Sequence, residues 1–259
     1  MSVRSETRVA MIWPPSATVL HGVVPLRAEP HAESELVDEA HFGEVVRVLG
    51  ERGEWRYVQG PDLYFGWCAA AELETRTDTR GAVIGVPLAV VRAAPRDDAG
   101  PIDELPAGAP LDLDESDRPY AAVGGRWVEV ADLRLVREIP QRYPTPADLL
   151  ATAEAFLGTP YLWGGTSARG IDCSGLTQQV YRFNGVALPR DADQQALFGR
   201  PVEAAMPGDL FFFGADGVTH TAIASGPRTY VHAPRTGGAV EYGALGPERR
   251  VLAIRRYLP

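Results

Sequence analysis

Three side chains in this sequence have the types and spacing of a nucleophile, a base and an orienting group: Cys173, His220 and His232. Cys173 lies in the stretch Gly170-Ile171-Asp172-Cys173-Ser174-Gly175-Leu176, and the apolar residues Leu176, Val180 and Phe183 recur after it before Gly185. That stripe at i, i+4 and i+7 predicts a helix that begins at the cysteine and stops near the glycine. A thiol in a first helical turn meets unpaired N–H groups and the positive end of the helix dipole. These lower its pKa from about 8.5 into roughly the 3.5–7.5 range, so a thiolate near neutral pH is expected. His220 follows Cys173 by 47 positions, and His232 follows by a further 12, one strand, turn and strand later. A thiol needs an imidazole to take and return its proton, and the imidazole needs a polar group to fix it. One Cys and two His are also a known catalytic zinc set. A Gly-rich loop and a helix-start cysteine suit the nucleophile better, and neither metal nor cofactor is expected.

These residues must be held by a domain that starts near Thr145. Thr145 as N-cap, Pro146 at the first helical position and Asp148 in the first turn open a helix whose apolar residues are Leu149, Leu150, Phe156 and Leu157 and which Gly158 ends. The segment Thr159-Pro160-Tyr161-Leu162-Trp163-Gly164-Gly165 is too Gly-rich for regular structure and reads as an active-site loop. Asp191-Ala192-Asp193-Gln194 resembles a capping box opening a short helix. Strand-like runs follow at Gly208–Phe213, Thr219–Ala224, Thr229–Ala233 and Val251–Tyr257. Helices first and strands second indicate an α+β domain with an antiparallel sheet.

The upstream text has a different texture, with short apolar runs broken by turn signals from about Ala17 to Thr75 and again from Gly81 to Glu138. Such runs suggest small all-β barrels or sandwiches. The two stretches repeat each other. Val24-Pro25-Leu26-Arg27-Ala28-Glu29-Pro30 parallels Ala89-Val90-Val91-Arg92-Ala93-Ala94-Pro95, and Gly53-Glu54-Trp55 parallels the Trp127 segment, so that Trp55 and Trp127 are read as equivalent. The tryptophans are expected in the cores, and Cys68 as a packed thiol. The Pro-rich stretch from Glu138 to Pro144 reads as a linker. Three domains result: residues 1–78, 79–138 and 139–259.

Length and composition limit the function classes. A chain of 259 residues exceeds a single ordinary core. No run nears the roughly 18 apolar residues of a membrane span, so no membrane partner is expected. Net charge of −9 without a Lys/Arg-rich block argues against nucleic acid. Two cysteines make no disulfide framework, and the first twenty residues carry no sustained apolar run, so a cytoplasmic protein is expected.

YLWGGTSARGIDCSGLTQQVY, PGDLFFF, HTAIA and VHAPRTG together resemble the NlpC/p60 cysteine peptidases of bacterial cell-wall peptides, over about Thr145 to Pro259. The upstream stretches resemble bacterial SH3-like (SH3b) domains through "LRAEP", "GEW" and "FGWC", more weakly in the second copy. The resemblance implies two SH3-like barrels followed by an α+β, papain-like catalytic domain. It implies Cys173 as nucleophile, His220 as general base, His232 as its orienting partner, and Tyr161 as an oxyanion donor. Asp172 and Ser174 read equally as substrate contacts or as helix caps. The combination is similar to the γ-D-glutamyl-L-diamino acid endopeptidases, which implies a small murein peptide, L-Ala-γ-D-Glu-diamino acid, as substrate and peptide recycling as role. In those enzymes the first module supplies an acid and a tyrosine for the terminal ammonium. Glu44 and Tyr64 are the matching positions, with strand charge and barrel packing as their plain readings. A thioester at Cys173 captured by an amine would instead make an acyltransferase or transglutaminase, and a chain without turnover would be a wall-binding adaptor.

Overall fold

The computed structural model describes residues 15–75, 81–113, 115–117, 119–139, 142–247 and 249–259. The opening stretch read for a leader falls largely on residues 1–14, the first domain boundary on 76–80 and part of the linker on 140–141, all outside the described residues. Seven strands build the first β unit: β1 (Ser16–Val19), β2 (Val23–Arg27), β3 (Leu36–His41), β4 (Val45–Arg52), β5 (Trp55–Gln59), β6 (Phe65–Ala69) and, after a 3-10 turn at Ala70–Glu72, β7 (Leu73–Glu74). They pair in the order β3-β2-β6-β5-β4-β1-β7 around Val19, Val24, Leu26, Val46, Val58 and Cys68. Both cysteines are free, and Cys68 is a core residue.

The second unit has β8 (Ala82–Ile84), β9 (Leu88–Arg92), β10 (Pro101–Pro106), β11 (Pro110–Leu111), β12 (Glu115–Asp117), β13 (Tyr120–Val123), β14 (Arg126–Glu129), a 3-10 turn at Val130–Asp132 and β15 (Leu133–Leu135). Its pairing order, β10-β9-β14-β13-β12 and β11-β8-β15, is that of the first unit with β4 split in two. The repeat extends to side chains. Arg27 pairs in register with Trp67 and donates to the Ser34 carbonyl at 2.9 Å, while Arg92 pairs with Trp127 and donates to the Ala99 carbonyl at 2.8 Å. This corrects the repeat: the partner of Trp127 is Trp67, not Trp55, because strand pairing rather than the nearby Gly-Trp text fixes register. The tryptophans are also not core residues. Trp55, Trp67 and Trp127 are half-buried, and Trp67 packs at 5.1 Å on Tyr57 on the outer surface of the sheet.

The third unit carries α1 (Pro146–Ala155), a β16 (Thr166–Ser167) and β17 (Gly170–Ile171) hairpin, α2 (Cys173–Phe183) and α3 (Ala192–Gln195). Its antiparallel sheet comprises β18 (Arg200–Pro201), β19 (Leu210–Phe213), β20 (His220–Ala224), β21 (Thr229–His232), β22 (Glu241–Ala244) and β23 (Val251–Arg256), in the order β18-β23-β19-β20-β21-β22. The α1 start is the expected capping box. Asp148 N–H donates to Thr145 Oγ1, and Thr145 N–H donates to the Asp148 carboxylate at 2.7 Å. Four of the six strands are the four apolar runs of the sequence. The continuous run at β19 reflects burial on both faces. Leu210 and Phe212 join Leu149, Leu176 and Val180 of the helices, whereas Phe211 and Phe213 join Ala222, Ala224 and Tyr230 beyond the sheet. Among the described residues no helix is long and apolar enough to cross a membrane.

Candidate active site

Helix α2, which Cys173 opens, is positioned by close backbone approach. Gly164 has φ +77°, and a Cβ there would lie 2.3 Å from the Leu36 carbonyl oxygen of β3; a Cβ on Gly175 would lie 2.3 Å from the Gly165 carbonyl oxygen. The Gly pair of the loop therefore lets it pass between the first β unit and α2. Asp172 caps α2, its Oδ1 accepting from Gly175 N–H at 2.7 Å and its Oδ2 from Gly164 N–H at 2.9 Å. Cys173 follows as the first helical residue and is buried. Its thiol receives the N–H of Thr221, so it lies against the peptide that joins His220 to Thr221 at the start of β20.

His220 and His232 meet because of strand register. Ile223 pairs with Val231 and Ala224 with Tyr230, which places the two histidines as diagonal neighbours on one face. His220 Nε2 lies 2.9 Å from His232 Nδ1. Phe213 packs at 5.7 Å on His220 and Tyr230 at 4.9 Å on His232. Arg249 Nη1 approaches His232 Nδ1 at 3.3 Å, and Glu241 Oε1 lies 3.8 Å from His232 Nε2. The inter-histidine hydrogen bond uses one nitrogen of each ring, which suits proton transfer better than two rings turned to a common metal.

The protonation states correct one expectation. Burial pushes the Cys173 thiol up to about 11, with the neighbouring Asp172 adding to the rise, and this outweighs the Thr221 and Ser174 N–H groups that favour the thiolate. Burial also holds His220 down to about 3, helped by His232 and Arg249, and His232 to about 4, helped by Arg249. The helix start alone does not yield a thiolate. At neutral pH the free protein carries Cys173 as a thiol and both imidazoles neutral, so a reaction at this sulfur would have to move its proton as the sulfur attacks. A group that acts as a base works above its pKa. kcat/KM is therefore expected to hold from pH 8 through pH 6 and to fall only well below the ordinary imidazole value near 6.5. A pH–rate profile checks this, and an acid limb centred at 6.5 or higher would contradict it.

Tyr161 is fixed from two sides. Its N–H donates to the Gly238 carbonyl at 2.9 Å, and it bridges to Ile171, two residues before the cysteine. Burial, then the adjacent Cys173 and Asp172, push its hydroxyl to about 12. The phenol stays protonated and remains a donor, as an oxyanion would require.

Asp172 and Ser174 are engaged inside the protein. Arg190 grips Asp172 through both terminal guanidinium nitrogens at 3.0 and 2.7 Å and also donates to Ser174 Oγ at 3.0 Å, while Ser174 Oγ donates to Asp172. Their capping and framework role is what the geometry displays.

Of the two positions read for the amine, Tyr64 meets the catalytic unit at Asp191, next to the arginine that grips the Asp172 cap, and Glu44 lies elsewhere. The Tyr64 hydroxyl donates to Asp191 Oδ2 at 3.1 Å. The turn that carries it is docked on α2, with Gln178 Nε2 donating to Asp62 Oδ2 at 3.0 Å. Leu63 takes φ 72°, uncommon for a bulky residue. Glu44 instead pairs with Arg182, near the far end of α2, about 13 Å along the axis from Cys173 by helix rise. A second hydrogen bond, from His41 N–H at 3.0 Å, completes its buried setting. Its counterpart in the second unit is Ala109, next to Gly108 as Glu44 is next to Gly43.

The acid beside Tyr64 is thus Asp191, which sequence reading took for a helix cap. It makes no side-chain cap bond, and its carboxylate instead accepts from Tyr64 and Gln194. Reading the chain also missed Arg190, Asp38 and Arg249, for which no local signal exists. A groove of about 1040 Å³ opens between the second β unit and the ends of α1 and α2, past Pro87, Arg134, Tyr143 and Phe183, and none of these chemical residues lines it.

The chain is similar to known proteins over most of its length. Residues 158–250 match the NlpC/P60 family, and residues 26–73 match the bacterial dipeptidyl-peptidase Sh3 domain. The chain is 32% identical over 239 residues to a gamma-D-glutamyl-L-lysine dipeptidyl-peptidase of Bacillus subtilis, covering 83% of this chain and 79% of that protein. It is 31% identical to dipeptidyl-peptidase 6 of Lysinibacillus sphaericus, covering 89% of this chain and 92% of that protein. A crystal structure of an NlpC/P60 family protein from Bacillus cereus superposes with a TM-score of 0.84 at 25% identity, covering 95% of this chain and all of that one.

Proposed function

The chain belongs to the NlpC/P60 family of cysteine peptidases, with an SH3-like domain ahead of its catalytic domain, and from that premise we propose that it hydrolyses the γ-D-glutamyl–diamino acid bond of small murein peptides that begin with a free L-Ala. The observation that carries this reading is the Tyr64–Asp191 hydrogen bond, which puts a hydroxyl of the first β unit and a carboxylate of the catalytic unit at one point. A half-buried carboxylate beside a phenol suits a terminal ammonium, and the names of the relatives give the bond class. In this reading the second β unit is a second SH3-like module, supported by its repeated strand order. A cysteine helix set against a histidine-bearing antiparallel sheet supports a papain-like arrangement.

The reaction follows from the positions. Cys173 sulfur bonds to the γ-carbonyl carbon as its proton passes to the ring nitrogen of His220 that His232 does not occupy. The resulting oxyanion is met by the Tyr161 hydroxyl and the Cys173 N–H. The C–N bond breaks as His220 returns the proton to the leaving amine, and water then opens the thioester with His220 as base. A substrate end closed by the β unit fits free peptides better than polymeric wall, which supports a recycling role inside the cell.

The test compares free and N-acetylated L-Ala-γ-D-Glu-diaminopimelate, with products identified by mass spectrometry in the presence and absence of an added amine. Acetylation removes the charge that Asp191 would pair, and a broken buried pair costs about 3–5 kcal/mol. The wild-type protein is expected to lose on the order of 100-fold or more in kcat/KM on acetylation, and Asp191→Asn a similar factor on the free peptide, with hydrolysis products only. Equal rates on both substrates would remove the amine reading, and an amide with the added amine would make the chain a transferase.

A further inference from the structure

We propose that Arg249 sets the tautomer of the two-histidine relay, a positioning role that rests on His220 serving as the base of the peptidase. A guanidinium has only donors. With Arg249 Nη1 at 3.3 Å from His232 Nδ1, that nitrogen must be an acceptor. The same nitrogen lies 2.9 Å from His220 Nε2, so the hydrogen of this bond belongs to His220 Nε2. A neutral imidazole carries one hydrogen, and His220 Nδ1 is therefore bare and able to take the thiol proton. In the opposite arrangement His232 Nδ1–H would donate to His220 Nε2. That would place the hydrogen of His220 on Nδ1, where it blocks proton uptake, and would set an N–H of His232 head-on against an N–H of Arg249. The arginine excludes that arrangement.

The surroundings agree with the assignment. With Nδ1 an acceptor, His232 carries its hydrogen on Nε2, the nitrogen that lies 3.8 Å from Glu241 Oε1. Arg249 is itself held in place, its Nη1 lying 3.4 Å from the Tyr230 hydroxyl and its N–H donating to the Gly246 carbonyl in the turn between β22 and β23. Besides each other, the titratable and charged groups in contact with the two rings among the described residues are Tyr230 from β21, Glu241 from β22 and Arg249. The fixed positive charge of Arg249 also opposes a second positive charge on the imidazoles. It keeps the base neutral into the acid range, in line with the lowered values of both histidines. One residue thus has two separable effects, on which nitrogen bears the hydrogen and on the pH at which a second hydrogen arrives.

Arg249→Met removes donor and charge, and Arg249→Lys keeps both. Nitrogen-15 histidine spectra at pH 7 are expected to show both rings of the wild-type protein as Nε2–H tautomers, and the His220 Nδ1–H form to become populated in Arg249→Met. The methionine variant is expected to lose about 100-fold in kcat, less than the roughly 10,000-fold that a wholly wrong tautomer costs in a serine triad, since His232 remains. Its acid limb is expected to move up by about one pH unit, and lysine to recover most of both. Wild-type tautomers and an unmoved acid limb in Arg249→Met would overturn the proposal even if the rate falls, because packing alone would then explain the loss. A wild-type protein without peptidase activity would remove the functional reading, and the tautomer spectra would still decide the role of Arg249.

Discussion

Replacing Cys173 with alanine is expected to abolish peptide hydrolysis while leaving the fold and the melting temperature nearly unchanged. In the proposed reaction the sulfur is the atom that bonds to substrate carbon, and removing a nucleophile that works as a unit with its base costs on the order of a million-fold in kcat in comparable triads. The structural cost is small. The Asp172 cap, the Arg190 contacts and the glycine approaches that hold the start of α2 do not use the sulfur beyond the N–H groups of Thr221 and Ser174. Cys68→Ser is the informative contrast. It puts a hydroxyl into the apolar core beside Val58 and Leu26, where a buried polar group without a partner costs about 1–3 kcal/mol. That variant should melt earlier yet retain kcat/KM. Turnover assays with thermal melts on both variants check the pair. Residual activity above about one part in a thousand for Cys173→Ala, or loss of turnover in folded Cys68→Ser, would defeat the single-nucleophile assignment.

What could be read in advance depended on whether the signal was local. The cap at Thr145 and Asp148, the Leu176 and Val180 stripe and the apolar run at Leu210–Phe213 are set by neighbours in sequence, and the structure has them. The two histidines could be found because a strand, a turn and a strand return the chain to nearly the same place. Three readings failed where distant residues decide. Trp55 was matched to Trp127 from a shared glycine–tryptophan texture, whereas the Arg27 and Arg92 pairings assign Trp67. A lowered thiol pKa followed from the helix start, but the sheet and loop that bury Cys173 reverse it. Glu44 looked like a carboxylate open to a ligand, and its partner Arg182 comes from another domain. Asp191 shows the converse. Its local text suggests a cap, and only the docking of the first β unit turns it toward Tyr64.

Substituting Arg190 with methionine is expected to give a large loss of stability. The guanidinium is buried at 2% exposure and joins two domains. Its Nε donates to Asp38 Oδ1 of β3 at 2.8 Å, and its two terminal nitrogens donate to Asp172, the cap of α2, at 3.0 and 2.7 Å. Burial pushes the Asp38 carboxyl well above its usual range even with Arg190 opposing the rise. Methionine fills similar volume but leaves two buried carboxylates without a cation, and breaking one such pair costs about 3–5 kcal/mol. In a chain of this size that corresponds to a fall in melting temperature of roughly 6–20 °C. Lysine should recover only part, because a single ammonium cannot span both carboxylates in the guanidinium's fork geometry. The pH dependence separates charge from packing. Without the arginine the buried Asp38 carboxyl, already raised by burial, binds its proton still more readily folded than unfolded, so the folded state of the variant gains stability relative to wild type as pH falls. The gap in melting temperature between Arg190→Met and wild type should therefore narrow from pH 7 to pH 5, and Asp38→Asn in the methionine background should recover part of the loss at pH 7. A gap that stays constant or widens on acidification would show that Arg190 acts through packing, and its neutralising role at the domain junction would fail.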